Sequence, residues 1–452
     1  MKTSILITVD CLRPDHLSCY GYPFETTPVI DSIAESGTIY SHAFSNGGGT
    51  PEAFPSLLLG QPPPFHWKEY GGKGLGGLAM RFKDKGYTTG GFHSNPYLSR
   101  FYGFGGGFDI FEDGLKGHSR SITNSLLGTD VPISIMRWLI PEVGLPAPKV
   151  GIWDATMRIL TSYHGKKDAT QITDEALSWL SKQRGDTFLW IHYMDTHLPY
   201  LPPSRFLNTR EDSGITFAKF TSAYKRLSMK GIMPTAEDIK TLITLYDCCI
   251  RFVDSEIGKL LAFLEAHDLD YSVVITSDHG DAFMEHGKIN HQDVHEEIIH
   301  VPLIIGGSRP RSPSVIDTLA SSIDLGDLII SNAEDSQLAS QSGSESVISV
   351  SLNPIFKRRS ISLRTSDWKY IRTDELHDDG KTKFLNEELY KIAIDPKENS
   401  DVSKAYFAVT GRFHAKVDSL LTLHSAQLEI PEKRQNDDEE SVRTRLRRLG
   451  YE

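Results

Sequence analysis

The sequence predicts an α/β fold: a large, mostly parallel sheet sandwiched by helices, followed by a small C-terminal antiparallel sheet. Short, β-branched apolar runs such as Ser4–Val9, Thr187–Tyr193 and Tyr271–Thr276 have the composition of buried parallel strands. Amphipathic segments such as Asp238–His267 alternate with these runs and have helical periodicity. Beyond residue 347, short strand-like pieces are separated by charged turns, a pattern typical of antiparallel sheets.

Each element is predicted from its own pattern of apolar residues and stop signals. The predicted strands are Ser4–Val9, Ile39–Phe44, Tyr87–Asn95, Thr187–Tyr193, Tyr271–Thr276, Val301–Ile305, Val347–Leu352, Ser360–Leu363, Lys369–Thr373 and Glu388–Lys391. The predicted helices are Thr27–Ser36, one that begins near Thr50, one within Glu69–Lys85, Asp168–Lys182, Asp238–His267 and Tyr406–His424. Glycines that follow the first and third of these helices supply typical C-terminal stop signals.

These patterns divide the chain into three parts. Residues 1–330 form the α/β part, residues 347–430 form the antiparallel sheet with its helix, and residues 431–452 form a charged tail, interpreted as a solvated helix. Within the first part, residues from about 114 to 170 lack the α/β rhythm. This stretch is interpreted as an insertion that can form a lid or a specificity region.

Composition excludes some classes of function. The formal net charge is −11 with no compensating basic stripe, which argues against nucleic acid as a partner. The four cysteines, Cys11, Cys19, Cys248 and Cys249, have the spacing of neither a disulfide framework nor a zinc site. The chain has no apolar run long enough for a signal peptide or a membrane span, so a cytoplasmic location is expected. The sequence leaves a homo-oligomer open.

The segment Ser45–Gly60 runs from a glycine-rich loop into an apolar helix. Pro51 follows Thr50 directly, and proline is well tolerated in the first turn of a helix. We therefore expect Thr50 at a helix N-terminus, where free N–H groups and the helix dipole favour anions. Its hydroxyl is either a helix cap or a nucleophile, and on this segment alone the cap is the more frequent role.

Two of the predicted strands end in side chains that suit a metal ion. Asp10 follows the first strand, and Asp278 and His279 follow the strand Tyr271–Thr276. Ligands gather at the carboxyl ends of strands in such sheets, and two carboxylates with an imidazole can hold a divalent ion. Such an ion can lower the pKa of a neighbouring hydroxyl. Three simpler alternatives remain: Asp10 as the cap of a helix over Arg13–Cys19, Asp278–Gly280 as a plain turn, and His197 as a surface histidine.

The order of these segments resembles the sulfatase family of the alkaline phosphatase superfamily, nearly from end to end. The matching segments are Val9–Tyr22, Thr26–Ala34, Thr50–Gly60, His197–Pro203, Ser277–Gly280, Glu285–Gly287, Glu296–Ile305, Trp368–Ile371 and Glu388–Pro396. The resemblance implies an alkaline phosphatase-like fold and a hydrolase that acts on sulfate or phosphate-type esters of small molecules or glycans.

The resemblance also assigns roles to individual residues. It implies one divalent ion (calcium, manganese, magnesium or zinc) bound by Asp10, Thr50, Asp278 and His279. It implies catalytic roles for Thr50 as nucleophile and for His197 and His291, and substrate contacts by Ser94 and Asn95. His291 takes the position of a family lysine, and the alternative for it is a histidine on a surface loop.

The sequence departs from the family pattern at several positions. Thr50 stands where the best-known sulfatases carry a cysteine or serine that becomes formylglycine, and a threonine cannot give that aldehyde. Cys11 replaces the second of two aspartates, Phe54 replaces an arginine, and Ser94 begins the segment that is Lys-x-His in the family. The pattern favours the threonine-dependent branches, which include phosphonate monoester hydrolases and phospho-group transferases. A catalytically silent binding protein of the same fold is the remaining alternative.

Overall fold

The computed structural model describes residues 1–71, 77–115, 166–207, 215–227, 233–309, 312–334, 343–377, 381–427 and 442–446. Its strands, in chain order, are β1 (Lys2–Val9), β2 (Thr38–Tyr40), β3 (Ala43–Phe44), β4 (Thr88–Phe92), β5 (Ile110–Glu112), β6 (Thr187–Tyr193), β7 (Asp270–Thr276), β8 (Ala282–Phe283), β9 (Ile289–Asn290), β10 (His300–Val301), β11 (Leu303–Gly307), β12 (Ser314–Ile316), β13 (Ala320–Ser321), β14 (Val347–Asn353), β15 (Arg358–Arg364), β16 (Trp368–Leu376) and β17 (Thr382–Lys391). The α-helices are α1 (Pro28–Glu35), α2 (Thr50–Leu59), α3 (Leu78–Asp84), α4 (Ala169–Leu180), α5 (Phe217–Leu227), α6 (Ala236–Ala266), α7 (Glu296–Ile299), α8 (Leu325–Ala333) and α9 (Phe407–Gln427).

Eight strands form the main sheet, in the order β12-β2-β11-β7-β1-β6-β4-β5. Strand β11 runs antiparallel to its neighbours β7 and β2, and the other pairings in this sheet are parallel. The four strands β14 to β17 form a separate antiparallel sheet. The predicted fold class, a large mixed sheet followed by a small antiparallel one, is confirmed.

Helices cover both faces of the main sheet, because the apolar residues of its central strand point alternately to either side. Ile5 and Ile7 of β1 belong to a buried apolar cluster with residues of α1, α4 and α6. Leu6 belongs to a second cluster, with residues of α2, α3 and α8 on the opposite face. This packing fixes the carboxyl ends of β1, β6 and β7 side by side at one edge of the sheet.

Two predicted strands are each divided in the structure. The stretch Ile39–Phe44 gives β2 in the main sheet and β3 in a three-stranded sheet with β10 and β13. The stretch Val301–Ile305 gives β10 and β11, which meet at Pro302, a residue that has no N–H for a ladder hydrogen bond. A strand of one sheet thus passes directly into the other, which a single apolar run does not reveal.

The charged tail was expected to be solvated, and its described part differs. Residues 442–446 are helical, and Val442 and Leu446 are 0% and 2% exposed. Their spacing of four places both apolar side chains on one helix face. The rest of the tail and most of the predicted insertion, residues 116–165, lie outside the described residues. In the part of the chain that the structure describes, no helix combines the length and apolar character needed to cross a membrane.

Candidate active site

The predicted site residues come from separate elements that meet at the carboxyl edge of the main sheet. Asp10 follows β1, Asp278 follows β7, and Asn95 lies three residues beyond β4. The loop after β6 carries His197, and Thr50 is the first residue of α2. Open α/β sheets bind ligands at this edge, so the topology brings residues that are distant in sequence into one place.

Thr50 does not act as a helix cap. The N-cap of α2 is Gly49, and Thr50 Oγ1 instead donates a hydrogen bond to Asp278 Oδ2 at 2.9 Å. It also lies 3.4 Å from His279 Nε2. The hydroxyl therefore faces the predicted metal ligands, as a nucleophile would, while its main chain remains at the helix N-terminus.

Asp10 is fully buried, and its carboxylate is held by neighbours from other elements. Asn95 Nδ2 donates to Asp10 Oδ2 at 3.1 Å, and the Cys11 thiol donates to Oδ1 at 3.1 Å. Burial by itself raises the pKa of Asp10, but the nearby imidazoles, including that of His192, hold the pKa well below its ordinary value. The alternative role of Asp10 as a helix cap is wrong, because the following residues form two short 3-10 turns capped by Arg13 and Leu17.

Asp278 and His279 present their side chains to the same point. The ring of His279 contacts the Gly280 carbonyl through Nδ1 at 3.0 Å, so Nε2 faces Thr50 and lies 3.4 Å from Asp278 Oδ2. Burial and the charge of Asp10 raise the pKa of Asp278. The negative charges of the two buried carboxylates, Asp10 and Asp278, repel each other. A cation bound between them would remove that repulsion.

The residues present fit a divalent metal ion. Potential ligand atoms of Asp10, His192 and Asp278 all lie within 4.8 Å of one another, as do those of Asp10, Cys11 and His279. His192 Nε2 is buried, finds no hydrogen-bond partner among the described residues, and lies 3.4 Å from Asp10 Oδ2. A buried nitrogen that makes no hydrogen bond is costly, and carboxylate and imidazole donors are those that zinc, manganese and related ions take.

His197 is a buried side chain, so the interpretation as a surface histidine is wrong. Its Nδ1 donates to the Leu198 carbonyl at 2.5 Å, which directs Nε2 away from its own main chain. Burial and the charge of Lys166 lower the pKa of His197 to about 3. The Lys166 ammonium donates to the His197 carbonyl at 2.9 Å and so holds this loop in place.

His291 is also not a surface residue, since its side chain is 2% exposed. Its ring centroid lies 5.2 Å from that of His197, and its Nδ1 is 3.1 Å from Asp281 Oδ1. Burial lowers the pKa of His291, but Asp281 outweighs burial and raises it. Tyr200 donates to the other carboxylate oxygen, Asp281 Oδ2, at 2.8 Å. The pair resembles an oriented general acid, a role that the pH-sensitive imidazole suits.

The two predicted substrate-binding residues differ in placement. Asn95 lies in the site, with Nδ2 3.4 Å from Thr50 Oγ1. The Ser94 hydroxyl accepts a hydrogen bond from the main-chain N–H of Lys167 at 3.1 Å and contacts the sulfur of Met194. Contact with substrate stays a prediction for both residues.

Sequence reasoning missed two residues that the structure places in the site, His192 and Asp281. His192 was read only as part of the apolar strand Thr187–Tyr193, although a histidine inside a buried strand is itself a signal of a polar partner. Asp281 follows Gly280 directly and could have been noticed as a third acid in that segment. The ring of Phe54, at the position of the family arginine, packs edge-on against His192 with centroids 5.1 Å apart.

Comparison with known proteins identifies the family of the chain. The family model described as Sulfatase matches residues 2–333 of the chain. The chain belongs to the sulfatase family. This family consists of ester hydrolases, and its human member iduronate 2-sulfatase is 25% identical over 350 residues, which cover 66% of this chain and 58% of that protein. The chain therefore spans less than two thirds of the length of this curated relative.

Solved structures share the fold of this sulfatase-family chain. The phosphonate monoester hydrolase of Agrobacterium radiobacter superimposes with a TM-score of 0.62 and 18% identity, covering 96% of this chain and 100% of that one. A protein solved in complex with its substrate D-glucosamine-2-N,6-O-disulfate gives a TM-score of 0.62 and 16% identity, covering 95% and 99%. At these identities the likeness establishes the fold alone.

Proposed function

We propose that this sulfatase-family protein is a metal-dependent hydrolase of sulfate or phosphate-type esters, with Thr50 as its nucleophile. The observation that carries the proposal is the position of Thr50 Oγ1, 2.9 Å from Asp278 Oδ2 at the N-terminal end of α2. A helix N-terminus stabilises negative charge. A nucleophile at this end of the helix can attack an anionic ester, because the helix N-terminus also stabilises the negative charge on the non-bridging oxygens of the ester.

The chain's own residues divide the work of the reaction. As the Thr50 oxygen forms its bond to the sulfur or phosphorus atom, its O–H bond breaks and the proton passes to Asp278 Oδ2, which accepts its hydrogen bond. As the bond to the leaving group breaks, His291 supplies the proton that the departing oxygen needs. His197 lies beside His291 and offers its Nε2 to the substrate. Water then cleaves the Thr50 ester and restores the hydroxyl.

A divalent ion would be held by Asp10, Asp278, His279 and the Thr50 oxygen. When bound, it supplies positive charge for the oxygens of the transferring group. The Asn95 amide, which donates to Asp10 Oδ2, keeps one of these carboxylates oriented. Calcium, manganese, magnesium and zinc remain candidates for the ion on the oxygen and nitrogen ligands alone.

Within this activity, phosphodiesters or phosphonate monoesters are the second candidate substrate class, alongside sulfate esters. Thr50 favours them, because an unmodified hydroxyl cannot release sulfate through an aldehyde hydrate. Transfer of the phospho group to an acceptor other than water belongs to the same alternative. A protein solved with a disulfated glucosamine supports glycan sulfate esters, while the phosphonate monoester hydrolase supports the phosphorus esters.

The deciding experiment compares wild-type protein with Thr50→Ala and Thr50→Ser. The substrates are an aryl sulfate, a phosphodiester and a phosphonate monoester, each assayed with calcium, manganese, magnesium or zinc. We expect Thr50→Ala to lose activity by roughly 10³-fold or more, and Thr50→Ser to retain part of it because it keeps the hydroxyl. The wild-type substrate ranking assigns the ester class.

Full activity in Thr50→Ala would contradict the nucleophile assignment. Inactivity of the wild-type protein on every ester, together with absence of a stoichiometric divalent ion, would favour a catalytically silent binding protein. Thermal unfolding of each variant serves as the control, because a small hydroxyl deletion at a helix start must not be confused with loss of the fold.

A further inference from the structure

Cys11 lies inside the site, although the proposed reaction gives it no role. Its side chain is fully buried, and Sγ is 3.1 Å from Asp10 Oδ1. The same sulfur is 3.8 Å from His279 Nδ1 and 3.9 Å from His291 Nδ1. A structural free cysteine usually packs among apolar side chains. This thiol is instead surrounded by a carboxylate and two imidazoles.

The main chain of Cys11 adopts an energetically unfavourable conformation. Its φ is 61°, in the left-handed region that residues other than glycine, asparagine and aspartate seldom adopt. The Tyr246 hydroxyl donates to the Cys11 carbonyl at 2.7 Å, and the Cys11 N–H donates to Asp278 Oδ1 at 3.4 Å. Strained backbone of this kind gathers at functional sites, and here it occurs at the residue whose sulfur lies 3.1 Å from Asp10 Oδ1.

A second observation concerns the imidazole of His192, which also contacts Asp10. His192 Nε2 approaches Asp10 Oδ2 to 3.4 Å and has no hydrogen-bond partner within the described part of the chain. Its other nitrogen, Nδ1, is 2.9 Å from the Thr8 hydroxyl, which fixes the orientation of the ring. Besides the oxygen ligands, two further potential ligand atoms therefore lie close to Asp10: Nε2 of His192 and Sγ of Cys11.

We propose that Cys11 is a sulfur ligand of the metal centre, which makes the centre selective for a thiophilic divalent ion such as zinc over calcium or magnesium. The inference rests on the metal centre of the proposed function and specifies its ion. On binding, the S–H bond breaks, its proton passes to solvent, and a sulfur–metal bond forms without oxidation or reduction. Thiolate selects zinc-like ions, whereas calcium and magnesium require hard oxygen ligands.

Cobalt(II) serves as the test ion, because a thiolate bound to cobalt gives a sulfur-to-metal charge-transfer band in the near ultraviolet. Full-length protein is freed of metal by chelation, loaded with one equivalent of cobalt and scanned. We expect the band in wild-type protein and in Cys19→Ser, and its loss in Cys11→Ser and Cys11→Asp. Cys19 is the matched control, because its N–H contacts Asp31 rather than the site.

A competition experiment measures the selectivity directly. Each protein is equilibrated with equal concentrations of zinc and calcium, and the bound metals are quantified after gel filtration. We expect wild-type protein to retain zinc, Cys11→Ser to bind zinc roughly tenfold or more weakly, and Cys11→Asp to shift toward calcium. Aspartate tolerates the left-handed conformation, so Cys11→Asp is expected to fold, and thermal unfolding checks this.

The proposal is overturned if wild-type protein takes up no cobalt, if the band persists in Cys11→Ser, or if the zinc preference is unchanged in both Cys11 variants. These readouts do not depend on catalysis. An inactive chain with the charge-transfer band would contradict the hydrolase and leave the sulfur ligand in place. An active chain without the band would contradict the sulfur ligand alone.

Discussion

Asp281 controls the orientation of His291 through the 3.1 Å contact between Oδ1 and Nδ1. Tyr200 holds the other carboxylate oxygen from the loop after β6, so the ring has one orientation rather than several. With Nδ1 paired to the carboxylate, the proton on Nε2 is the one available for transfer. At the scale of a residue, the proposed general acid is therefore the pair Asp281–His291 rather than a lone imidazole.

Replacing Asp281 with asparagine tests this arrangement. Asparagine keeps the size of the side chain but not the charge, so His291 loses the partner that favours its protonated form. We expect kcat to fall by about 10- to 100-fold, with KM nearly unchanged because both carboxylate oxygens of Asp281 contact protein side chains, His291 and Tyr200. The measurement is steady-state kinetics on the ester that the substrate panel identifies.

Tyr200→Phe is a milder perturbation of the same carboxylate than Asp281→Asn. It removes one hydrogen bond to the carboxylate and leaves the charge, so a smaller loss of kcat is expected. A leaving group that needs no proton, such as a nitrophenolate, is expected to reduce the effect of Asp281→Asn. Equal losses for good and poor leaving groups would indicate a structural role for Asp281 instead.

A site residue could be predicted when the neighbouring sequence determines its position. Asp10, Asp278 and His279 follow apolar strands directly, so the strand pattern alone places them at the ligand-binding edge. His192 and Asp281 could not be assigned in this way, because their partners Asp10 and His291 are set by packing between elements distant in sequence. Roles in catalysis and metal binding stay predictions for all of them.

At the scale of elements, the helix α2 and the loop before it act as one unit. Asn46 Oδ1 accepts hydrogen bonds from the Ser322 hydroxyl and the Ile323 N–H, each at 2.9 Å, and its Nδ2 donates to the Ile348 carbonyl at 2.7 Å. A Cβ on Gly47 would lie 2.2 Å from the Ala53 nitrogen. Gly47 is therefore required because the loop folds back onto the first turn of the helix.

Gly47→Ala is expected to displace the start of α2 and with it Thr50. The clash is with main-chain atoms, which cannot move aside as a side chain can, so we expect a loss of roughly 1–3 kcal/mol in unfolding free energy and a larger proportional loss of activity. Urea unfolding and kinetics measure the two effects. Gly185→Ala is the matched control, because the described residues leave open space around its Cβ. Equal behaviour of the two variants would contradict the packing argument.

Some element boundaries are likewise determined by neighbouring residues, and others by residues that are distant in sequence. The long helix α6 was predicted almost to its ends, since its apolar periodicity is local. The division of Ile39–Phe44 between two sheets was not predicted, because it depends on where β10 and β13 lie. The glycine-rich loop was recognised from composition, but its partner strand β14, more than 290 residues later, could not be.

For the whole molecule, the C-terminal sheet is hydrogen-bonded to the glycine-rich loop before α2 rather than standing apart. The Gly48 N–H donates to the Val350 carbonyl, and the Val350 N–H donates to the Asn46 carbonyl, each at 2.9 Å. The Leu352 N–H donates to Glu52 Oε1 at 3.1 Å, next to Thr50. The small antiparallel sheet thus completes the hydrogen bonding of the segment that carries the proposed nucleophile. Oligomeric state and cellular location stay predictions.

His295 links the same two parts of the molecule, and we expect its protonation to make the stability of this link depend on pH. Its Nδ1 is 2.7 Å from Asp293 Oδ2, and its Nε2 is 3.8 Å from Glu388 Oε2 on β17. Burial lowers the pKa of His295, but Asp293 and Glu388 outweigh burial and raise it to about 9. Stability from this group is therefore fully present below the ordinary histidine value of about 6.5 and is lost as pH rises through about 9.

His295→Gln tests this dependence, because glutamine keeps polar contacts but cannot carry the charge. Between about pH 6 and about pH 9.5, we expect wild-type protein to lose on the order of 2–3 kcal/mol of unfolding free energy that the variant does not lose. Urea unfolding at both pH values measures the difference, and His377→Gln, at an exposed position, is the matched control. Parallel pH profiles for wild-type protein and His295→Gln would show that the two parts associate independently of this charge. A shallower profile in His295→Gln alone would assign the pH dependence to the contact that joins α7 to the C-terminal sheet.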